Sequence, residues 1–262
     1  MRVLITGAHG FIGKHLQRAV PVQWTVVTPK ALGEVWGQDF DICFHLAANV
    51  KIRDGMKCPT IDWDSLSTLT DVLQHSRFNR FIFVSSGAVY QGHVGLVHPY
   101  LPVHPTIPYA IAKLAGELLV KHWGEWGWFG KYLNVRLFGA YGPGEASHKL
   151  STKLMTATEP VTIEGDGHNL IDPMCVEDVA ELLVDLALGD QWNRTVNLAT
   201  GKPLSIRQWV EKIGEVVQLP PVEFGGPRPP EYHQFWSEGT EWTPPEVGLR
   251  ILAESLGVPC RN

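Results

Sequence analysis

Cysteine is scarce in this chain: Cys43, Cys58, Cys175 and Cys260 are the only four in 262 residues, and no two of them form a C-x-x-C pair. No metal-ligating set is assigned to them, and a reducing cytoplasm is the expected compartment. Long apolar runs are also missing. None approaches the roughly 20 residues that span a bilayer, and the chain opens on a strand-like run without a signal-peptide pattern, so a soluble, unprocessed protein with no membrane partner is expected. Basic stretches are lacking as well: 22 Lys and Arg are scattered among 27 Asp and Glu, for a net charge of −5. Nucleic acid has little to hold, and small-molecule chemistry is expected.

What is present is the texture of an α/β protein. With 44% hydrophobic residues, the chain can bury a core as one domain or as two small ones. Apolar runs at Arg2–Thr6, Trp24–Thr28, Asp41–Leu46, Arg80–Ser85 and Leu133–Leu137 predict strands. Between them, Phe11–Val20, Ser65–His75 and Ala110–Gly124 have helical spacing. This alternation predicts a Rossmann-type, doubly wound parallel sheet. Only Pro29–Phe40 separates the second strand from the next, so the third strand usual in this fold is expected to be missing or vestigial. After Gly142 the texture changes to turn signals, one helical segment at Val176–Leu188 and a Pro-rich connector at Pro220–Pro230. The expected division is a dinucleotide-binding domain over 1–142 and a smaller substrate lobe over 143–262, with some segments returning to the first domain.

Gly7, Gly10 and Gly13 form G-x-x-G-x-x-G between the first strand and the first helix. There the chain must turn tightly and then admit a pyrophosphate to a helix N-terminus, whose free N–H groups and dipole stabilise negative charge. At the end of the second strand, Thr28 and Lys30 stand where a carboxylate would bind a ribose 2′-OH. A hydroxyl followed by an ammonium accepts a 2′-phosphate instead, which favours NADP, with NAD as the alternative.

Tyr109 and Lys113, four residues apart on a predicted helix, share one face. A phenol with a free pKa near 10 needs roughly 4 kcal/mol of differential stabilisation to titrate near 7, and a neighbouring ammonium supplies part of it. Ser86, at the end of a strand, can hydrogen-bond the reacting oxygen.

These segments together resemble the extended short-chain dehydrogenase/reductases, the family of nucleotide-sugar epimerases, dehydratases and reductases. The likeness runs through T-G-A-H-G-F-I-G at 6–13, H-L-A-A at 45–48, V-S-S-G-A-V-Y at 84–90 and P-Y-A-I-A-K at 108–113. It continues through R-L-F-G-A-Y-G-P at 136–143, G-D-G at 165–167, V-E-D-V-A at 176–180 and N-L-A-T-G at 197–201. The resemblance implies Ser86, Tyr109 and Lys113 as the catalytic triad, with Lys113 also on the nicotinamide ribose. It implies dinucleotide contacts from Phe11, Ile12, Leu46, Ala47 and Ala48 beside the three glycines.

On the substrate side, the resemblance implies Arg228 on a diphosphate, Glu231 on a nucleoside ribose and His148 against the sugar. Three departures stand out. Ile171 replaces a second diphosphate-binding Arg, Gly139 replaces an Asn, and Gly87-Ala88 replaces the Asp-Glu pair of the sugar 4,6-dehydratases, which disfavours dehydration. The run P-Y-A-I-A-K-L-A-G with Ser147-His148 looks like GDP-fucose synthase, but Ala88 stands in place of its second epimerisation residue, a Cys. The expected function is a nucleotide-sugar oxidoreductase acting at C4, an NDP-4-keto-sugar reductase. The alternatives are a 4-epimerase that retains its cofactor and a non-catalytic NADP-binding regulatory subunit. A homodimer through Ser65–His75 and Ala110–Gly124 is expected, with Leu118, Leu119 and Trp123 as its apolar surface.

Overall fold

The computed structural model describes residues 1–48, 57, 60–229, 233–240 and 243–261. The chain divides into two compact units. The first comprises Met1–Gln91, Pro99–Leu137 and Ala180–Leu198; the second comprises Gly92–His98, Phe138–Val179 and Ala199–Asn262.

The first unit is built on six strands: β1 (Arg2–Thr6), β2 (Thr25–Val27), β3 (Asp39–His45), β4 (Arg77–Ser86), β5 (Lys131–Leu137) and β6 (Arg194–Leu198). They form one sheet in the order β6-β5-β4-β3-β1-β2, and every neighbouring pair is parallel. Parallel neighbours require crossovers, and helices provide them: α1 (Phe11–Ala19), α2 (Thr60–His75) and α3 (Pro108–Glu125). Strand order reverses around β1, since β2 lies on one side of it and β3 on the other. The C-terminal ends of β1 and β3 therefore open at a topological switch point, where α/β sheets bind ligands. The last residue of β1 is Thr6, and Leu46 to Ala48 follow β3 directly.

Among the described residues no strand lies between β2 and β3. The gap of eleven residues, 28–38, contains a single 3-10 turn, Leu32–Val35, whose Val35 is buried, and β2 is left as the sheet edge. The core below the helices gathers Leu4, Phe40, Cys43, Phe81, Phe83 and Val120. Leu119 and Trp123 pack against this same core, so of the three residues expected to form a dimer surface only Leu118 stays exposed.

The second unit carries more helix than its sequence texture suggests. Besides α5 (Val176–Leu188), which crosses the boundary between the units, it holds α4 (Leu150–Thr156), α6 (Ile206–Val216) and α7 (Pro245–Ser255). The signal for α6 was present in the chain. Ser205 accepts the Gln208 N–H while the Gln208 side chain accepts the Ser205 N–H, and Ile206, Trp209, Ile213 and Val216 recur on the buried face. The Pro-rich connector likewise contains a strand, Val222–Gly225, that pairs in parallel with Val161–Glu164. Val222 packs against a core of Tyr141, Leu154, Trp209, Ile213, Leu249 and Leu252. Among the described residues no helix is long and apolar enough to cross a membrane, and no group of three or more His, Cys, Asp or Glu is arranged to hold a metal ion.

Candidate active site

The glycine turn follows β1 directly. Gly7 has φ +72°, which an L side chain adopts only with strain, and a Cβ there would stand 2.8 Å from the Ala47 amide nitrogen. Gly13 admits no Cβ either, because it would lie 2.3 Å from the Gly7 carbonyl oxygen. Gly10 differs. Its φ is −74°, open to any residue, and it precedes α1 with no side-chain cap on the helix N–H groups. The turn thus brings the N-terminus of α1 within reach of β3 and leaves its donors without a side-chain acceptor, which suits a pyrophosphate. Phe11 and Ile12, half-buried, start α1. Thr28 and Lys30 sit in the loop after β2, Thr28 half-buried and Lys30 exposed. The Glu34 carboxylate in the same loop accepts the backbone N–H groups of residues 30 and 31.

At the end of β3, His45 is buried between Phe81 and Phe83, with its Nδ1 3.0 Å from Thr6 Oγ1. Burial, with the nearby Lys113 charge, pulls its pKa down to about 3, so the imidazole is neutral at physiological pH. The backbone beyond it is tied to β1: the Leu46 N–H donates to the Thr6 carbonyl and the Ala47 N–H to Thr6 Oγ1.

Helix α3 carries the Tyr–Lys pair. Pro108 opens it, and the Gln91 side chain accepts the Thr106 and Ile107 N–H groups at 2.8 and 3.1 Å, so the first turn is fixed just before Tyr109. Gly116 lets the helix settle on the sheet, since a Cβ there would lie 2.5 Å from the Phe83 ring. That approach carries the buried Lys113 Nζ to 2.8 Å from the Val84 carbonyl oxygen on β4 and to 6.0 Å from the Tyr109 ring centroid. Burial lowers the Lys113 pKa to about 8, against the opposing pull of Glu117.

Tyr109 packs on the small cluster of Ala88, Ile107 and Ala110, two residues beyond Ser86. Ser86 Oγ accepts the Ala88 N–H at 3.1 Å, which leaves its own O–H to point elsewhere. One crevice is lined by Ala47, Ala48, Phe83, Tyr109, Ala112 and Lys113, so residues from the end of β3, from β4 and from α3 meet in one place.

The sequence did not single out the buried polar network behind this pair. Glu117, one turn after Lys113, accepts from Arg136 Nε (2.9 Å) and Nη2 (2.7 Å) and from Ser85 Oγ (2.5 Å). Arg136 Nη1 donates to Tyr90 Oη, and Tyr90 donates to Asn197 Oδ1, each at 2.8 Å. The signal available was the four-residue step from Tyr109 to Lys113 continued to Glu117.

In the second unit, Arg228 is exposed, with Nη2 3.4 Å from Asp166 Oδ2 of the G-D-G turn. His148 is exposed just before α4. Glu231 lies outside the described residues. Gly139 has a packing reason, because a Cβ would lie 2.8 Å from the Asp172 carbonyl oxygen. The Asp172 carboxylate in turn accepts the N–H groups of Thr200 and Gly201 and fixes that turn.

Comparison with known proteins adds to this geometry. The sequence model of the NAD dependent epimerase/dehydratase family matches residues 3–199. The GDP-6-deoxy-D-mannose reductase of Pseudomonas aeruginosa is 29% identical over an alignment covering 83% of this chain and 81% of that protein. The structure of RMD from Pseudomonas aeruginosa complexed with NADPH superposes with a TM-score of 0.83 at 23% identity, over 97% of this chain and 98% of that one. MoeE5 in complex with UDP-glucose and NAD also gives 0.83, at 25% identity, over 98% and 99%.

Proposed function

Because the chain belongs to the NAD dependent epimerase/dehydratase family, we propose that it is a nucleotide-sugar oxidoreductase that acts at C4, reducing a nucleoside-diphosphate 4-keto-sugar with NADPH. The observation that carries this reading is the Tyr109–Lys113 pair, which lines one crevice with Ala47 and Ala48, the residues that follow the end of β3. The likeness to a GDP-6-deoxy-D-mannose reductase supports reduction as the direction.

NADPH, when bound, would supply the hydride for reduction at C4. The protein supplies the rest. The Tyr109 phenol gives its proton to the C4 oxygen as the carbonyl becomes an alcohol, and Lys113, anchored on the Val84 carbonyl, stabilises the phenolate that remains. Ser86 directs its O–H to the same oxygen, its lone pair being engaged by the Ala88 N–H. Gly7, Gly10, Gly13, Phe11 and Ile12 would hold the pyrophosphate, Thr28 and Lys30 would receive the 2′-phosphate, and Leu46, Ala47 and Ala48 would contact the dinucleotide. Arg228 and Glu231 grip the nucleotide and His148 meets the sugar.

The test is a thermal-shift panel of NADPH, NADH, GDP, UDP and dTDP, followed by NADPH oxidation with the matching nucleoside-diphosphate 4-keto-6-deoxyhexose. The expected result is a larger shift with NADPH than with NADH, and stoichiometric NADPH loss. Turnover of a nucleotide sugar by protein purified with its dinucleotide, needing no added NADPH, would assign epimerisation instead. The α2–α3 face leaves Trp63, Ile111 and Leu118 exposed, and the reading includes a homodimer there. A monomer mass by light scattering at micromolar concentration would remove that part.

A further inference from the structure

Three residues of the sheet lie in one row. Ser85 of β4 is the register partner of Arg136 of β5, and Arg136 is the partner of Asn197 of β6. Parallel strands place register partners on the same face of a sheet, so this row presents a hydroxyl, a guanidinium and an amide together. Glu117 of α3 closes it from above. The Arg136 and Glu117 side chains are 5% and 4% exposed, so their charges have left water almost completely. A buried ion pair is kept only when its geometry is good and its remaining atoms are bonded, and here they are. Both Glu117 oxygens accept from Arg136, one of them also accepts from Ser85, and Arg136 reaches Tyr90. The Glu117 backbone carbonyl accepts a further hydrogen bond from Asn134 Nδ2 at 3.1 Å.

The position of this network is telling. Tyr109, Lys113 and Glu117 follow one another at four-residue steps on α3, so the carboxylate lies one turn behind the ammonium. Ser85 is the residue before Ser86. The network therefore joins the helix that presents the phenol and the ammonium to the strand that presents the hydroxyl.

Resting on the function proposed above, we infer that Glu117 is a positioning residue for the reaction: clamped by Arg136 and Ser85, its carboxylate sets the helix face bearing Tyr109 and Lys113 against the strand ending at Ser86. One turn from Lys113, the same carboxylate also favours the ammonium form. The groups that face Lys113 make this assignment specific. Among the described residues they are the Val84 carbonyl and the Phe83 ring from β4, neutral His45 from β3, and Tyr109 and Glu117 from its own helix. Glu117 is the anion among them, and the Arg136 cation lies beyond it.

The test uses the full chain and the variants Glu117→Gln and Ser85→Ala, with NADPH affinity followed by fluorescence from pH 6 to 10 beside kcat. In the wild type, both are expected to fail along an alkaline limb centred near pH 8, where Lys113 loses its proton. Glu117→Gln removes the anion that holds that proton, so the ammonium dissociates at lower pH and the limb moves down. Its kcat is expected to fall about a hundredfold with little change in KM. Ser85→Ala keeps the carboxylate charge and removes one bond of the clamp, so kcat falls less and the limb stays in place. A folded Glu117→Gln protein with wild-type kcat and an unmoved limb overturns the inference and leaves Glu117 a packing residue.

If Glu117→Gln does not fold, Glu117→Gln/Arg136→Met leaves no unpaired buried charge, and the same downward movement of the limb is required of it. Should the wild type reduce none of the 4-keto-sugars, the functional reading fails by itself. The pH limb of NADPH binding then still decides the role of Glu117.

Discussion

Replacing Tyr109 by phenylalanine is expected to lower kcat/KM for 4-keto-sugar reduction by about a thousandfold, the range general acid–base groups contribute. That is roughly 4 kcal/mol of transition-state stabilisation. The substitution deletes one oxygen and leaves the ring that packs on Ala88, Ile107 and Ala110. Folding and the first turn of α3, held by Gln91, should therefore be undisturbed. NADPH affinity is expected to stay close to that of the wild type, because the glycine turn and Lys113 remain. The loss should fall on kcat, as expected for an interaction made in the transition state. Stopped-flow reduction under single-turnover conditions separates the chemical step from release. A Tyr109→Phe protein that binds NADPH and retains near wild-type single-turnover rates would show that the proton comes from elsewhere.

The second large effect separates two glycines that look alike in the motif. Gly13→Ala is expected to destabilise the fold, because its Cβ would meet the Gly7 carbonyl oxygen at 2.3 Å and Ala8 Cα at 2.7 Å. Those atoms are backbone and cannot rotate away. The Gly10 N–H is bonded to the Gly7 carbonyl at 2.9 Å, and the Gln17 side chain holds the Ala8 carbonyl at 2.7 Å. Overpacking of this kind costs about 1–3 kcal/mol or more, a fall in Tm of several degrees for a protein of this size. NADPH binding should be lost with it.

Gly10→Ala is expected to behave differently, since the nearest protein atom to its Cβ is the Gly7 oxygen at 3.1 Å and its φ suits alanine. Its Tm should stay near the wild-type value. Its NADPH affinity should fall by about tenfold or more, because the methyl group stands where the pyrophosphate approaches the backbone. Thermal denaturation paired with NADPH titration checks both variants. If Gly10→Ala binds NADPH as the wild type does, the turn is not the phosphate cradle.

Much of this site is local and was therefore legible in the chain. The glycine spacing, the four-residue step from Tyr109 to Lys113 and the strand ending at Ser86 each span a few residues, and local geometry turns such spacings directly into shape. The missing third strand was legible for a similar reason, since twelve residues cannot hold a strand and two crossovers. In the second unit the sequence reading fell short. The Ser205–Gln208 capping box marked α6 within four residues, whereas the strand Val222–Gly225 sits among prolines and is fixed by its partner Val161–Glu164.

Sequence alone determined the α/β alternation, the glycine turn after β1 and the pairing of phenol with ammonium, because each follows from backbone sterics and helix periodicity. Tertiary structure decided which distant residues stand behind that pair. Ser85, Glu117, Arg136 and Asn197 are brought together by the register of three parallel strands and by a helix seated closely over them at Gly116. No spacing along the chain encodes that meeting. It depends on which strands become neighbours and in what alignment, and burial of the whole core decides both.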